Sequence, residues 1–179
     1  LIVLTGNNTY TGMTIVNNGV LRLGAVNAIN GSYAVVVENP ANNAASDTNA
    51  LQLSGGFSYG AGKTLTLRNN ATANIANARV ALENQAGNNT WAGNIIIDGG
   101  ANQAITSSAG VLTIDGNISQ SAIPSTQLFI RGGATGIING TFNLGTATLA
   151  KTDTGTWTIN SGGNVQGNVI LGNGTLVLN

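Results

Sequence analysis

Leu4-Thr5-Gly6-Asn7-Asn8-Thr9-Tyr10-Thr11-Gly12-Met13-Thr14-Ile15-Val16-Asn17-Asn18-Gly19-Val20-Leu21-Arg22-Leu23-Gly24 is the stretch that decides the fold. It reads as two short strands, Met13 to Val16 and Val20 to Leu23, joined by Asn-Asn-Gly, with an Asn/Thr/Gly loop carrying one aromatic residue ahead of them. The pattern returns without a gap 155 positions downstream, in Ile159 to Asn179. There Gly12 meets Gly167, Ile15 meets Ile170, Gly19 meets Gly174, and Leu21 and Leu23 meet Leu176 and Leu178.

A third copy lies between them. Gly87-Asn-Asn-Thr-Trp-Ala-Gly-Asn-Ile-Ile-Ile97 follows Gly6 to Val16, with Trp91 in the place of Tyr10. Its second strand, Gly110-Val-Leu-Thr-Ile-Asp-Gly116, comes after an insertion of about ten residues. A shortened echo runs from Leu51 to Leu67. Repeat copies near 1–24, 51–67, 80–116 and 151–179 make internal repetition the main organising feature of a single domain spanning 1–179.

Composition narrows the class. Gly accounts for 26 of the 179 residues, charged residues for 7 % and aromatics for 4 %. An average domain carries about 25 % charge, so this chain is solubilised by neutral amides and hydroxyls. A hydrophobic share of 42 % excludes a disordered chain, and an apolar set of Val, Ile, Leu and Ala suits strands. Net charge is zero, which removes the electrostatic footprint of a nucleic-acid or anionic-membrane binder. There is no Cys and no His. No apolar run approaches the length of a transmembrane helix, so insertion into a membrane is not expected of this segment.

Further strand-like runs of two to five residues recur along the chain, each bounded by Gly, Asn or Asp. Leu51-Gln-Leu53, Leu65-Thr-Leu67 and Leu176-Val-Leu178 alternate, which buries every second side chain. The nearest helical candidate, Ala71 to Ala81, lacks caps and is interrupted by Asn. Connections of widely varying length, sparse aromatics and abundant Asn argue against a sandwich or a propeller. They predict an all-β fold, a single-stranded right-handed parallel β-helix (β-solenoid), whose coils tolerate long loops and whose Asn residues stack in ladders. Seven to ten coils would give a rod of about 35–48 Å.

Residues 4–24, and Lys151-Thr-Asp-Thr-Gly-Thr-Trp-Thr-Ile159 with Gly167 to Leu178, resemble the autotransporter-associated β-strand repeat, also called the passenger-associated transport repeat. The resemblance covers about a quarter to a third of the chain, and the Lys-x-Gly-x-Gly-like lead-in is reduced here to one Gly. It implies an exported β-helical passenger, located outside the cell or on the surface of a Gram-negative bacterium, adhesive or matrix-forming. The C-terminal translocator barrel of such proteins has no counterpart in these residues.

Catalytic chemistry finds little to stand on. Without His, the commonest general base and metal ligand is missing. The acids are Glu38, Asp47, Glu83, Asp98, Asp115 and Asp153. Asp98 and Asp115 occupy related positions after strands, where stacking could bring them together, but Asp-Gly is also a turn signal. A polysaccharide-cleaving β-helix would need clustered carboxylates, and Arg22, Arg68, Arg79 and Arg131 read as solvated strand positions. No catalytic, cofactor or metal residues are expected. Tyr10 and Trp91 share a repeat position that favours packing over a coil corner above sugar stacking. Thr-x-Thr pairs at Thr9/Thr11, Thr64/Thr66, Thr146/Thr148 and Thr154/Thr156/Thr158 raise ice binding, yet they lack one fixed period and outward strand positions favour Thr by propensity.

Neither Leu1-Ile2-Val3-Leu4 nor Gly174 to Asn179 reads as a cap, since both are apolar strands. Open solenoid ends template further strands. Leu1, Ile2, Val3, Leu4, Thr175, Leu176, Val177 and Leu178 are therefore the candidate self-association residues. The partner is a second copy stacked head to tail, or neighbouring coils of the same protein. The leading expectation is a non-enzymatic structural solenoid acting as stalk, adhesin segment or filament subunit. A polysaccharide-binding or polysaccharide-cleaving helix acting on host or matrix polysaccharide comes second, and an ice-binding solenoid third.

Overall fold

A computed structural model describes residues 1–39, 49–70, 80–123 and 125–179. They form three sheets in which every strand pairing is parallel. Sheet A stacks β1 (Ile2–Leu4), β3 (Val20–Leu23), β5 (Asn49–Ser54), β8 (Val80–Ala86), β11 (Gln103–Ser107), β14 (Gln127–Arg131), β17 (Thr148–Lys151) and β20 (Val169–Leu171). Sheet B stacks β2 (Thr14–Val16), β4 (Ala34–Asn39), β7 (Thr64–Asn69), β10 (Asn94–Asp98), β13 (Ile118–Gln120), β16 (Phe142–Gly145) and β19 (Gly163–Val165). Sheet C stacks β6 (Ser58–Tyr59), β9 (Asn89–Trp91), β12 (Val111–Ile114), β15 (Thr135–Ile138), β18 (Thr156–Ile159) and β21 (Thr175–Leu178). From β5 onward the chain visits A, C and B in turn. This is the parallel β-helix that the repeats predict, with eight strands in its longest sheet and a rise of about 34 Å.

Coil length follows from the sheet A register, which runs from Ile2 to Leu21, Leu51, Leu82, Ile105, Ile130, Lys151 and Leu171. The two longest coils, from Leu21 to Leu51 and from Leu51 to Leu82, contain segments 40–48 and 71–79, which lie outside the described residues. The weak helical candidate falls almost wholly on the second of these, while Val80 and Ala81 already belong to β8.

Inside the coils, alternation does what the sequence pattern implies. Leu65, Leu67, Ile95, Ile97, Leu112 and Ile114 are fully buried, each stacked on its counterpart one coil away. Sheet C carries the bulkiest interior. Tyr59 lies under Trp91 in one row, and Trp157 lies over Gly136 in the other. Both indoles are fully buried, so Trp91 is a core residue and not a corner plug, whereas Tyr10 stays exposed and hydrogen-bonds Thr14 Oγ1 at 2.8 Å. In the first two coils the third side is built differently. Residues 5–13 and 24–33 contain no strand, and turns that bury Ala28 and Ile29 close the core there.

Three corners turn the chain, and side-chain amides serve them. At the A-to-C corner, Asn89 Oδ1 accepts the Gly56 and Phe57 amides at 2.9 and 3.0 Å, and Asn84 Nδ2 donates to the Gly87 carbonyl at 2.9 Å. Between B and A, Asn39 Nδ2 donates to Asn69 Oδ1 at 3.2 Å, and Asn69 Nδ2 donates to the Asn102 carbonyl. After sheet C, a one-way ladder climbs the outside of the rod. Asn139 Nδ2 donates to Asp115 Oδ1, Asn160 Nδ2 to Asn139 Oδ1, and Asn179 Nδ2 to Asn160 Oδ1, each at 2.8 Å. Asn thus supplies ladders as expected. The left-handed backbone positions go to Gly instead, with Asp153 (φ 60°) the one non-Gly exception among the described residues.

The repeat copies do not keep one place in the coil. The first uses β2 and β3, sheets B and A; the last uses β20 and β21, sheets A and C; the middle one uses β10 and β12, sheets B and C. A strand, a glycine turn and a second strand with inward alternation fit any corner of a three-sided coil.

Candidate functional site

Sequence reasoning left three places for function: the carboxylates, the outward faces and the two ends. The carboxylates are consumed by the scaffold. Asp98, at the end of β10, accepts Arg68 Nε at 2.7 Å on Oδ2, and Ser121 Oγ at 2.5 Å and the Gly99 amide at 3.0 Å on Oδ1. Burial pushes its carboxyl up, but hydrogen bonds from Ser121 and Arg68 outweigh this and hold it below the ordinary Asp value. Arg68 also reaches Glu38 at 3.5 Å, and its guanidinium is pushed up chiefly by the Asp98 hydrogen bond. Glu83 accepts Gln52 Nε2 and Ser108 Oγ, and Asp153 Oδ2 accepts the Gly132 amide at 3.0 Å.

Asp115 serves the Asn ladder beyond sheet C, whereas Asp98 ends a strand of sheet B, so stacking does not bring the two together. Asp47 and Arg79 lie outside the described residues. Among the described residues no group of three or more His, Cys, Asp or Glu could hold a metal ion, and no helix is long and apolar enough to cross a membrane. Arg22 and Arg131 lie in outward rows, Arg22 Nε on Gln52 Oε1 at 2.9 Å and Arg131 Nε on Thr106 Oγ1 at 3.2 Å.

One buried cation escaped the sequence reading. Lys151 stands in the inward row between Ile130 and Leu171 and is fully buried. Its Nζ leaves the core at the A-to-C corner and donates to the carbonyls of Thr152 (2.5 Å), Asp153 (2.7 Å) and Asn173 (3.1 Å). Burial lowers its pKa below the ordinary Lys value, with nearby Asp153 opposing. The signal was available in the lead-in Lys-Thr-Asp-Thr-Gly, where a lysine ends a strand just before a turn with several free carbonyls.

The ends are apolar and open. Leu1, Ile2, Val3, Tyr10, Met13 and Ile15 of the first coil are exposed, as are Val169, Ile170, Leu171, Val177 and Leu178 of the last. These make up eleven of the fourteen exposed large hydrophobic side chains among the described residues. Each end opens into the core. A cavity of about 290 Å³ lined by Phe142, Leu149, Ile159, Val165, Val169 and Leu178 lies at one, and one of about 160 Å³ lined by Leu1, Ile2, Ile15, Val16, Val20 and Leu21 at the other.

The structure places the candidate residues Leu1 to Leu4 on or next to β1 of sheet A, and Thr175 to Leu178 on β21 of sheet C at the opposite end. Leu176 is partly buried against the core and Leu178 is exposed. The two sets therefore share neither a sheet nor an end. The terminal strand in the same sheet as β1 is β20, which the sequence reading left out of the set.

Comparison of the chain with protein-family models, with curated proteins and with solved structures gives no match.

Proposed function

We propose that this chain is a non-enzymatic structural solenoid, a stalk, adhesin passenger segment or filament element exposed outside the cell, whose open ends stack on further coils. Those coils belong either to the same protein or to a second copy placed head to tail. The concentration of exposed apolar side chains at the two ends carries the reading. A flat strand edge that is also apolar is a template for pairing, and proteins that do not use such an edge blunt it with charge, proline or a covering element. Here no charged residue lies on β1, β2, β19, β20 or β21.

Continuing each sheet fixes the contact. The first coil of a following copy would set β1 on β20 in sheet A and β2 on β19 in sheet B, while residues 5–13 cover β21. In the register the sheet already keeps, inward positions then meet inward positions, with Ile2 over Leu171. This is a heterologous contact that extends without closing. The resemblance of residues 4–24 to passenger repeats points to export by a Gram-negative bacterium and to adhesion or matrix formation.

Sedimentation and electron microscopy across a concentration series test the reading. Rods that lengthen with concentration, and that an Ile170→Lys substitution returns to single particles with unchanged circular dichroism, are expected. Short isolated particles at the highest concentration would refute stacking between copies.

A further inference from the structure

Sheet C presents an outward surface unlike the other two. One row runs Val111, Thr135, Thr156, Thr175, and the adjacent row Ser58, Thr90, Thr113, Ile137, Thr158, Val177. No charged residue stands in either row. The outward rows of sheet A carry Arg22, Glu83 and Arg131, and those of sheet B carry Glu38, Arg68 and Asp98. Every member but Ser58 is β-branched, so each has a restricted χ1 and brings a γ-methyl to the surface with little freedom left to lose. No hydrogen bond to another protein group engages any of the six Thr hydroxyls among the described residues. The aromatic residues of this sheet, Tyr59, Trp91 and Trp157, are turned inward and buried.

From this grid we infer that sheet C is an ice-binding face. Its rows repeat at about 4.8 Å along the rod and about 6.7 Å across it, periods close to those between water oxygens on faces of hexagonal ice. Methyl groups at that spacing cage water, and unengaged hydroxyls in the same register anchor the cages. A charged side chain would impose its own hydration shell and break the match; none is present. Stacking on sugar rings needs exposed aromatics, which this face lacks. The Thr-x-Thr pairs visible in the sequence include only Thr156 and Thr158 from this surface. Thr90, Thr113, Thr135 and Thr175 each join it from a different coil, and coils of unequal length hide their alignment.

Ice grown in solutions of the purified chain tests the inference. The wild-type chain is expected to shape crystals, to give a gap between melting and growth temperatures, and to be enriched in the growing ice. Thr113→Tyr and Thr156→Tyr, central in the two rows, are expected to lose that gap. Thr66→Tyr, outward on sheet B, is expected to keep it, with circular dichroism confirming the fold of all three. Should a tyrosine variant fail to fold, Thr156→Ser keeps the hydroxyl, removes the methyl and is expected to narrow the gap. A wild-type chain excluded from ice, or equal loss from Thr66→Tyr, would overturn the inference. So would sheet C variants that keep the gap, or sedimentation showing a side-by-side dimer that Thr156→Tyr dissolves.

Discussion

Gly136 offers the sharpest test of how the interior is filled. It lies in sheet C directly beneath Trp157, and a Cβ there would collide with Cδ2, Cε2 and Cε3 of that indole. These atoms lie at and beside the ring fusion of a fully buried indole, not at the tip of a movable chain, and the ring also donates its Nε1–H to the Arg131 carbonyl at 3.1 Å. Accommodating a methyl therefore means moving ring or strand by about 1 Å to restore ordinary van der Waals contact. Overpacking of this kind costs about 1–3 kcal/mol, and loss of the indole hydrogen bond adds about 1 kcal/mol. The backbone at Gly136 is not left-handed, so alanine recovers about 0.4–1 kcal/mol by stiffening the unfolded chain.

The net expectation for Gly136→Ala is a loss of about 2–3 kcal/mol, a fall in Tm on the order of 5–10 °C for a chain of this size. Urea unfolding followed by circular dichroism measures it. A double-mutant cycle with Trp157→Leu supplies the internal check, because removing the ring leaves room for the new methyl. The coupling between the two substitutions should exceed about 1 kcal/mol. Gly136→Ala within about 0.5 kcal/mol of wild type, or the same cost in both backgrounds, would show that the glycine is not there to seat the indole.

Two further outcomes follow from buried polar groups. Lys151→Met keeps a stem of similar size in the inward row but leaves the Thr152, Asp153 and Asn173 carbonyls without their shared donor. A loss of about 1–3 kcal/mol in urea unfolding is expected, and a variant as stable as wild type would show that water serves those carbonyls equally well. The Tyr59 phenol donates to the carbonyls of Ser54 and Leu23, and burial pushes its pKa up to about 12. The unfolded chain releases this proton near pH 10 and the folded chain holds it, so stability falls between pH 10 and pH 12 by up to about 2–3 kcal/mol. Tyr59→Phe lacks that slope; parallel pH profiles for the two proteins would refute the assignment.

Strands whose apolar residues alternate were legible from the sequence. The expected strand Val20 to Leu23 coincides with β3, the strand expected within Gly110 to Gly116 is β12, and the alternating Leu65 to Leu67 and Leu176 to Leu178 fall inside β7 and β21. Strands held by their neighbours rather than by their own composition were not. Gln103-Ala-Ile-Thr-Ser107 offers one large apolar side chain and reads as an insertion, yet it is β11, paired on both sides by β8 and β14. Ser58–Tyr59 and Gly163–Val165 went unread for the same reason. Placement by sheet was equally hidden. The aligned repeats suggested that the last copy matches the first strand for strand, whereas the two differ by one corner of the coil. In the candidate end set, Leu1 to Leu4 stand at one terminal edge of sheet A, and the strand at the other edge of that sheet is Val169 to Leu171.

The Asn ladder outside sheet C bears on how such a chain changes length over evolutionary time. Asn139 and Asn160 each donate toward the earlier coil and accept from the later one. Either can therefore take the other's place. Excising the 21 positions that separate them would set Asn160 onto Asp115 with the same bond, and duplicating them would add a rung with no new chemistry. A carboxylate, unlike an amide, has no N–H to donate along the ladder. Asp115 is a fixed origin, and a copy of it inserted higher in the ladder would bring two oxygens face to face. Gain and loss of whole coils are thus chemically silent on one side of Asp115 and audible at it, so variants of this rod should differ in coil number above that residue and agree at it.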